Sequence, residues 1–208
     1  HEIRDLCSAV LGEVKAYSPI VRRLEQETEG NAFFAVEFIR ALAEDAGSLS
    51  RVIQTPLPDQ LHAAGVDRLL ERRISRLPDW GMAALQLAAV AGRQLDLHLL
   101  DHIARTHPHI LALEALEDWL QACVAAQILS VSGDDWAFSH DKLRGYVLEH
   151  TPAEQLPALH RTVAESIEAV YPNDTSRADV LMTHWKMAGD VDKEVFYTGK
   201  VIEWLLWT

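Results

Sequence analysis

One short stretch breaks an otherwise helical rhythm, and it narrows the folds open to this chain of 208 residues. From Ile128 to Phe138 the order Ile-Leu-Ser-Val-Ser, Gly-Asp-Asp, Trp-Ala-Phe reads as strand, tight turn and strand. Glycine and aspartate supply the turn, and the flanking residues suit a pleated surface. No comparable β pattern stands elsewhere. Ahead of it, Phe34, Phe38 and Leu42 recur at helical spacing and form one apolar stripe. Over 60–76 the pattern turns Leu61, Leu69, Leu70 and Ile74 inward and Arg68, Arg72, Arg73 and Arg76 outward. Pro78 sits where a first-turn proline is tolerated, before a run rich in small residues that Gly92 closes. Its Ala83, Ala84, Ala88, Ala89 and Ala91 suit a close helix–helix contact. Helices near 96–104 and 111–126 follow, parted by His107-Pro108.

Beyond the hairpin the period returns to helical over 141–150, 153–170, 175–188 and 190–207, with short polar connections of the kind that join helical hairpins in a solenoid. Two prolines, two serines and a glycine in 46–59 leave no helical period there. The chain is therefore expected to be mainly α. It divides into a helical segment (1–46), a linker (47–59), a winged-helix domain with one β-hairpin (60–150), and the start of a TPR-like α-solenoid (151–208). Trp185, Trp204 and Trp207 are expected in the solenoid core. The chain opens and closes in mid-pattern, so both ends are expected to be cuts in a longer protein.

Charge limits the partners. Nineteen Lys+Arg against 31 Asp+Glu give a net −12, which repels phosphate backbones unless a local basic patch compensates. A winged helix reads DNA through the helix before its hairpin, here about 110–126. That helix carries Glu114, Glu117 and Asp118 and no Lys or Arg, so no DNA contact is expected from it. Cys7 and Cys123 lie far apart with no CxxC, as in a reduced, cytoplasmic protein whose thiols pack as small hydrophobes. No apolar run reaches the ~18 residues of a membrane span, and no signal peptide is recognised.

Catalytic and metal signatures are weak. No G-x-S-x-G or Cys/His framework appears. His98 and His102 share a helix face near Asp101, but Leu99 stands where a zincin needs its glutamate. A solvated face is expected there, with no metal. The pairs Glu114/Glu117 and Glu165/Glu168 read the same way, and Asp67 and Glu71, interleaved with the nearby arginines, account for them without a ligand. No phosphate-cradling loop is present. The only Gly-Lys pair, Gly199-Lys200, has Glu194 where the first glycine should stand and Val201 in place of Ser or Thr. Asp134-Asp135 after an apolar run superficially mimics a magnesium site but belongs to the hairpin turn.

Four segments together resemble the C-terminal half of a STAND-class signalling ATPase module, the kind found in LuxR-type regulators and beside cyclases and kinases. Thr28-Glu29-Gly30-Asn31-Ala32-Phe33-Phe34 is similar to that family's T-x-G-N-P-F-F lid turn. Leu57-Pro58, Leu69, Arg73-Ile74 and Leu77 with Ala88-Ala89-Val90-Ala91-Gly92 resemble its winged-helix opening. Phe138-Ser139-His140-Asp141-Lys142-Leu143-Arg144 resembles the F-x-H-[DE]-x-[LIV]-[RQ] segment after the wing. Leu159-His160, Ala178, His184-Trp185 and Ala188-Gly189 are similar to the start of its helical repeats.

The resemblance implies that Gly30, Asn31 and Phe33 contact the adenine from the lid, and that His140 senses the phosphates of ADP against ATP. Ala32 replaces the family proline and makes a softer turn. It further implies ATP or ADP bound in a full-length parent, a P-loop domain N-terminal to His1, and a protein or small-molecule inducer sensed by the helical repeats. The chain would then be the regulatory part of an ATP-dependent signalling switch and not itself an enzyme. From the residues alone, Gly30-Asn31 is equally a turn between helices, and His140 a helix-terminal histidine beside a capping Ser139. The alternative reading of the whole chain is a nucleotide-independent helical protein-interaction scaffold.

The purified 208-residue chain is expected to show no steady ATP turnover above a buffer blank in a phosphate-release assay, because no backbone cradle for phosphate stands in its sequence. Turnover that tracks the protein through purification would refute this.

Overall fold

In the computed structural model the described residues are 5, 21, 22, 25, 35, 36, 39, 67, 70–172 and 174–207. The chain divides into two compact units, His1–Arg72 and Arg73–Thr208. In the first, the described residues are helical. Gly30, Asn31 and Phe33, and the linker 47–59, lie outside the described residues.

The second unit is mainly helical with a small sheet. A 3₁₀ turn, Asp79–Gly81, leads into α1 (Met82–Ala91), followed by β1 (Gln94–Leu95), α2 (Leu97–Thr106), α3 (Leu116–Ala125), β2 (Leu129–Ser132) and β3 (Asp135–Phe138). Four helices complete it: α4 (Asp141–Glu149), α5 (Leu156–Val170), α6 (Ala178–Met187) and α7 (Val191–Trp207). Among the described residues no helix is long and apolar enough to cross a membrane.

The hairpin forms where the sequence places it. Leu129 pairs with Phe138, Val131 with Trp136 and Ser132 with Asp135. Gly133 turns the chain at φ +62°, the sign that the first central residue of a type II′ turn requires. The expectation of a hairpin alone is corrected by β1. Gln94 and Leu95 pair antiparallel with Ala137 and Trp136, giving a three-stranded sheet in the order β1-β3-β2. Two residues are too few to print an alternating pattern. The strand is anchored instead at Arg93, whose carbonyl accepts from the Phe138 N–H at 2.9 Å.

The turn between α3 and β2 explains a second correction. Gln127 adopts φ +57°, the left-handed conformation in which glycine is usual. The Gln127 N–H reaches the Val124 carbonyl and the Ile128 N–H reaches that of Cys123, the paired bonds of a Schellman cap. The Gln127 carbonyl accepts from Arg73 Nη1 at 3.2 Å and Ser139 Oγ at 2.7 Å. Arg73, expected on the outer face of its helix, is therefore buried, and Ser139 serves this turn and not the following helix.

One core runs through the unit. Leu87 and Val90 of α1, Leu99 and Ile103 of α2, Ile110, Val163, Ala164 and Ile167 of α5, and Leu181 and Trp185 of α6 form a single apolar cluster. Residues on both sides of position 150 thus share one interior. The alanines of α1 permit close approach, and Ala84, Ala88 and Ala89 are buried. Trp204 corrects the expectation of a buried tryptophan: it is exposed on α7, because only one face of that helix meets α6. The side chain of Trp207 lies outside the described residues.

Gly81 and Gly145 separate crowding from propensity. A Cβ on Gly81 would lie 2.9 Å from Cδ1 of Trp119, which is fully buried and donates Nε1–H to the Gly81 carbonyl at 3.0 Å. Gly145, inside α4, has nothing within 4 Å of its added Cβ. Gly81→Ala is expected to cost about 1–3 kcal/mol through overpacking, and Gly145→Ala to stabilise by about 0.5–1 kcal/mol. Urea unfolding midpoints of the two variants, moving in opposite directions, check this.

Candidate functional site

The candidate sensor, His140, emerges where β3 hands the chain to α4. Phe138 is buried under the sheet, and the Ser139 N–H donates to the Ile128 carbonyl at 2.9 Å. These bonds aim the next residue inward. His140 is itself the N-cap of α4, correcting the expectation of Ser139 in that place. Its Nδ1 accepts from the Lys142 N–H at 3.1 Å, and the ring is buried. An Nδ1 that accepts leaves the proton of a neutral imidazole on Nε2. The ring sits at a helix N-terminus, the end of the dipole that favours anions. Asp141, the first residue of α4, would oppose an anion there, but Arg93 Nη1 meets its carboxylate at 2.8 Å.

A second histidine feature was not legible as a pair. Nδ1 of His160 on α5 lies 2.9 Å from Nδ1 of His184 on α6, with ring centroids 5.0 Å apart. One ring donates and the other accepts, so the bond exists while both are neutral. Burial, the His160 ring and the Arg144 guanidinium of α4 push the His184 pKa down to about 4. Burial and Arg144 also lower that of His160. Arg144 is held by the Ala89 carbonyl at the end of α1, 2.8 Å from its Nε.

Glu168 overturns the expectation of a solvated glutamate. Its carboxylate accepts from Tyr197 Oη at 2.7 Å and Trp185 Nε1 at 3.0 Å, and from Lys193 Nζ at 2.8 and 2.9 Å on its two oxygens. Burial and that carboxylate push the Tyr197 pKa up, so the phenol keeps its proton. The cluster borders a cleft of about 480 Å³ between α5, the 3₁₀ turn Thr175–Arg177 and α7, which Tyr171, Phe196 and Lys200 also line. Three donor groups make four bonds to the carboxylate, so it ties helices together. With Glu168 on α5, Trp185 on α6 and Lys193 and Tyr197 on α7, the cluster spans three helices at separations that leave no local sequence signal.

His98 and His102 lie on α2, whose Asp101 is held by Arg105 through Nε at 2.8 Å and Nη2 at 3.0 Å. Among the described residues no group of three or more His, Cys, Asp or Glu side chains could hold a metal ion. Cys123 is buried and reduced, and burial raises its thiol to about 12, far from a nucleophile. Compared with known proteins, the chain matches no family model, no curated protein and no solved structure.

The histidine pair predicts an acid limb in the stability profile. A lowered folded-state pKa means that the unfolded chain takes up a proton first as pH falls. Stability is fully present above pH ~6.5 and declines as pH falls toward about 4, by on the order of 1–3 kcal/mol. Urea midpoints measured across that window are expected to fall in the wild type and to flatten in His184→Gln. A parallel fall in both would reject the assignment.

Proposed function

We propose that this chain is a regulatory segment of a nucleotide-dependent signalling switch, of the STAND ATPase kind, in which His140 reports the phosphate state of ADP or ATP. The reading takes α1 to β3 as a winged helix and α5 to α7 as the opening of a helical repeat. Supporting the first are the element order α-β-α-α-β-β and the sheet order β1-β3-β2. Supporting the second is the consecutive packing of α5, α6 and α7. The phosphate cradle in this scheme belongs to a P-loop module beyond these 208 residues, since no P-loop motif occurs in them. Gly30, Asn31 and Phe33 keep their proposed role as lid contacts to the adenine.

The observation that carries the reading is the fixed tautomer of His140. A buried N-cap histidine whose Nδ1 is committed to the Lys142 N–H carries its neutral-state proton on Nε2, and in this reading that N–H is the group a phosphate oxygen of the nucleotide would engage. A nucleotide state that accepts this bond would hold the winged helix against the P-loop module, and a state that does not would release it. The exposed face of α3 carries Glu117 and Asp118, and Glu114 stands exposed in the turn just before it, which supports a protein-coupling role for the winged helix over a DNA-reading one. The alternative, a nucleotide-independent helical scaffold reached through a cytoplasmic partner, draws on the exposed apolar residues of α7.

The test uses the intact protein that carries this segment together with its nucleotide module. His140→Asn keeps an acceptor for the Lys142 N–H, since asparagine is a favoured N-cap, and removes the imidazole donor. A hydrogen bond to a charged phosphate contributes about 1.5–3 kcal/mol. ADP is therefore expected to leave faster by on the order of 10- to 100-fold, with signalling that no longer waits for inducer. Unchanged ADP release in a folded His140→Asn protein overturns the sensor role and returns the chain to the scaffold reading.

A further inference from the structure

Four arginines of the second unit, Arg93, Arg105, Arg161 and Arg177, each meet an aspartate. Arg144 meets a carbonyl instead. Its Nε donates to the Ala89 carbonyl at 2.8 Å, and among the described residues no carboxylate pairs with it, although the side chain is partly buried. The bond to α1 uses one of the five N–H donors of the guanidinium. The edge formed by Nη1 and Nη2 remains, and it matches two oxygens of a carboxylate or phosphate.

The charge of Arg144 bears on both rings of the His160–His184 pair. His160 continues the buried stripe Val163, Ala164 and Ile167 of α5 back by one turn, and His184 is buried on α6 beside Trp185. Their Nδ1 atoms share one proton at 2.9 Å. The donor ring therefore keeps a bare Nε2, while the acceptor ring carries Nε2–H. A proton taken from solvent onto the bare Nε2 makes that ring an imidazolium and leaves the Nδ1 bond in place. The neighbouring elements bring no charge to offset it. Helix α1 has no charged side chain over 82–91, α2 joins α5 in the core through Leu99 and Ile103, and α7 commits Lys193 and Tyr197 to Glu168. Arg161 of α5 is held by Asp190. Arg144 and the two rings are thus the charged and titratable groups of the cluster.

We propose that Arg144, His160 and His184 form a binding site for a small oxyanion, a carboxylate or a phosphate group, and that one proton enters the histidine pair as the anion arrives. The guanidinium edge supplies two N–H donors, and the protonated pair supplies a second positive charge and a further donor. Arg144 and His160 are partly exposed and His184 is buried, so solvent reaches the site past the first two. A bound anion would join α4 to the α5–α6 pair by charge. The site stands whether or not His140 senses nucleotide.

The experiment titrates sulfate, whose charge does not change near neutral pH, into the 208-residue chain at an ionic strength held constant with chloride. The ring nitrogen chemical shifts of His160 and His184 are followed by NMR. They are expected to move toward the protonated position and saturate, with an affinity that tightens toward about tenfold per pH unit as pH falls from about 8 to about 6, the slope of one bound proton. Acetate titrated in parallel separates the two sources: tighter acetate assigns a carboxylate, and tighter sulfate assigns a phosphate-like group. Arg144→Lys keeps the charge and loses the fork. It is expected to weaken binding by at least about tenfold, while the two rings titrate as in the wild type when no sulfate is present. Shifts that fail to saturate or that chloride reproduces, an affinity independent of pH, or wild-type affinity in folded Arg144→Lys would each overturn the proposal. Should that variant lose its fold, the wild-type titration and its pH slope decide by themselves.

Discussion

A helix with no polar face has to be covered on every side, and α1 is such a helix. Ala84, Leu85, Leu87, Ala88, Ala89 and Val90 are all buried, and six such positions within ten residues leave no flank for water. Helices α4 and α5 meet it from different directions. That requirement draws residues from beyond position 150 onto the helix that opens the unit, and it makes 73–208 a single body. Small alanine side chains set how near α5 comes. That distance in turn sets where α6 finds Leu181 and Trp185 a place in the cluster.

Polar ties then fix the angles that apolar contact leaves loose. Asp96 caps α2 by accepting from the His98 and Leu99 N–H groups, and the same carboxylate accepts from the Tyr171 hydroxyl at 2.6 Å and from Arg177 at 3.4 Å. Burial pushes this carboxyl up, but the bonds from Tyr171 and Leu99 and the charge of Arg177 hold it below the usual carboxylate range. One side chain thereby joins the end of β1 to the turns that close α5 and open α6. Arg144 on the Ala89 carbonyl and Glu168 under Lys193 and Tyr197 repeat the device further along. Each tie holds a partly buried polar group whose bonds are lost if the helices shift, so misplacement carries a cost.

The elements were largely legible because their signals are local. Gly133 between two apolar runs specified the hairpin, and Gly92 and Pro78 marked the bounds of α1 to within a turn. Strand β1 was not legible, since two residues carry no period and the pairing with Ala137 and Trp136 is remote. Arg73 misled for a similar reason. The interleaved Asp67 and Glu71 suggested a solvated face, whereas a partner of Arg73 is a carbonyl in a turn 54 residues away. The candidate site divides in the same manner. His140 stood out through its order with Phe138 and Asp141, while the His160–His184 contact and the Glu168 cluster gave no signal, their members lying on separate helices.

The sequence by itself determined the predominance of helix, the place of the tight hairpin, the acidity around α3 and the absence of a phosphate-loop motif in these 208 residues. These follow from composition, from spacing of three to four residues, and from the sterics of single glycines. Only the tertiary structure decided that His140 caps its own helix through Nδ1, that Glu168 takes bonds from Trp185, Lys193 and Tyr197, that Trp204 faces outward, and that one flank of α7 is apolar and exposed. Periodicity shows that a helix has an apolar face, but not which of two faces its neighbour covers. That choice falls to helix packing, where burial of surface and satisfaction of buried polar atoms are decided together across residues far apart in the chain.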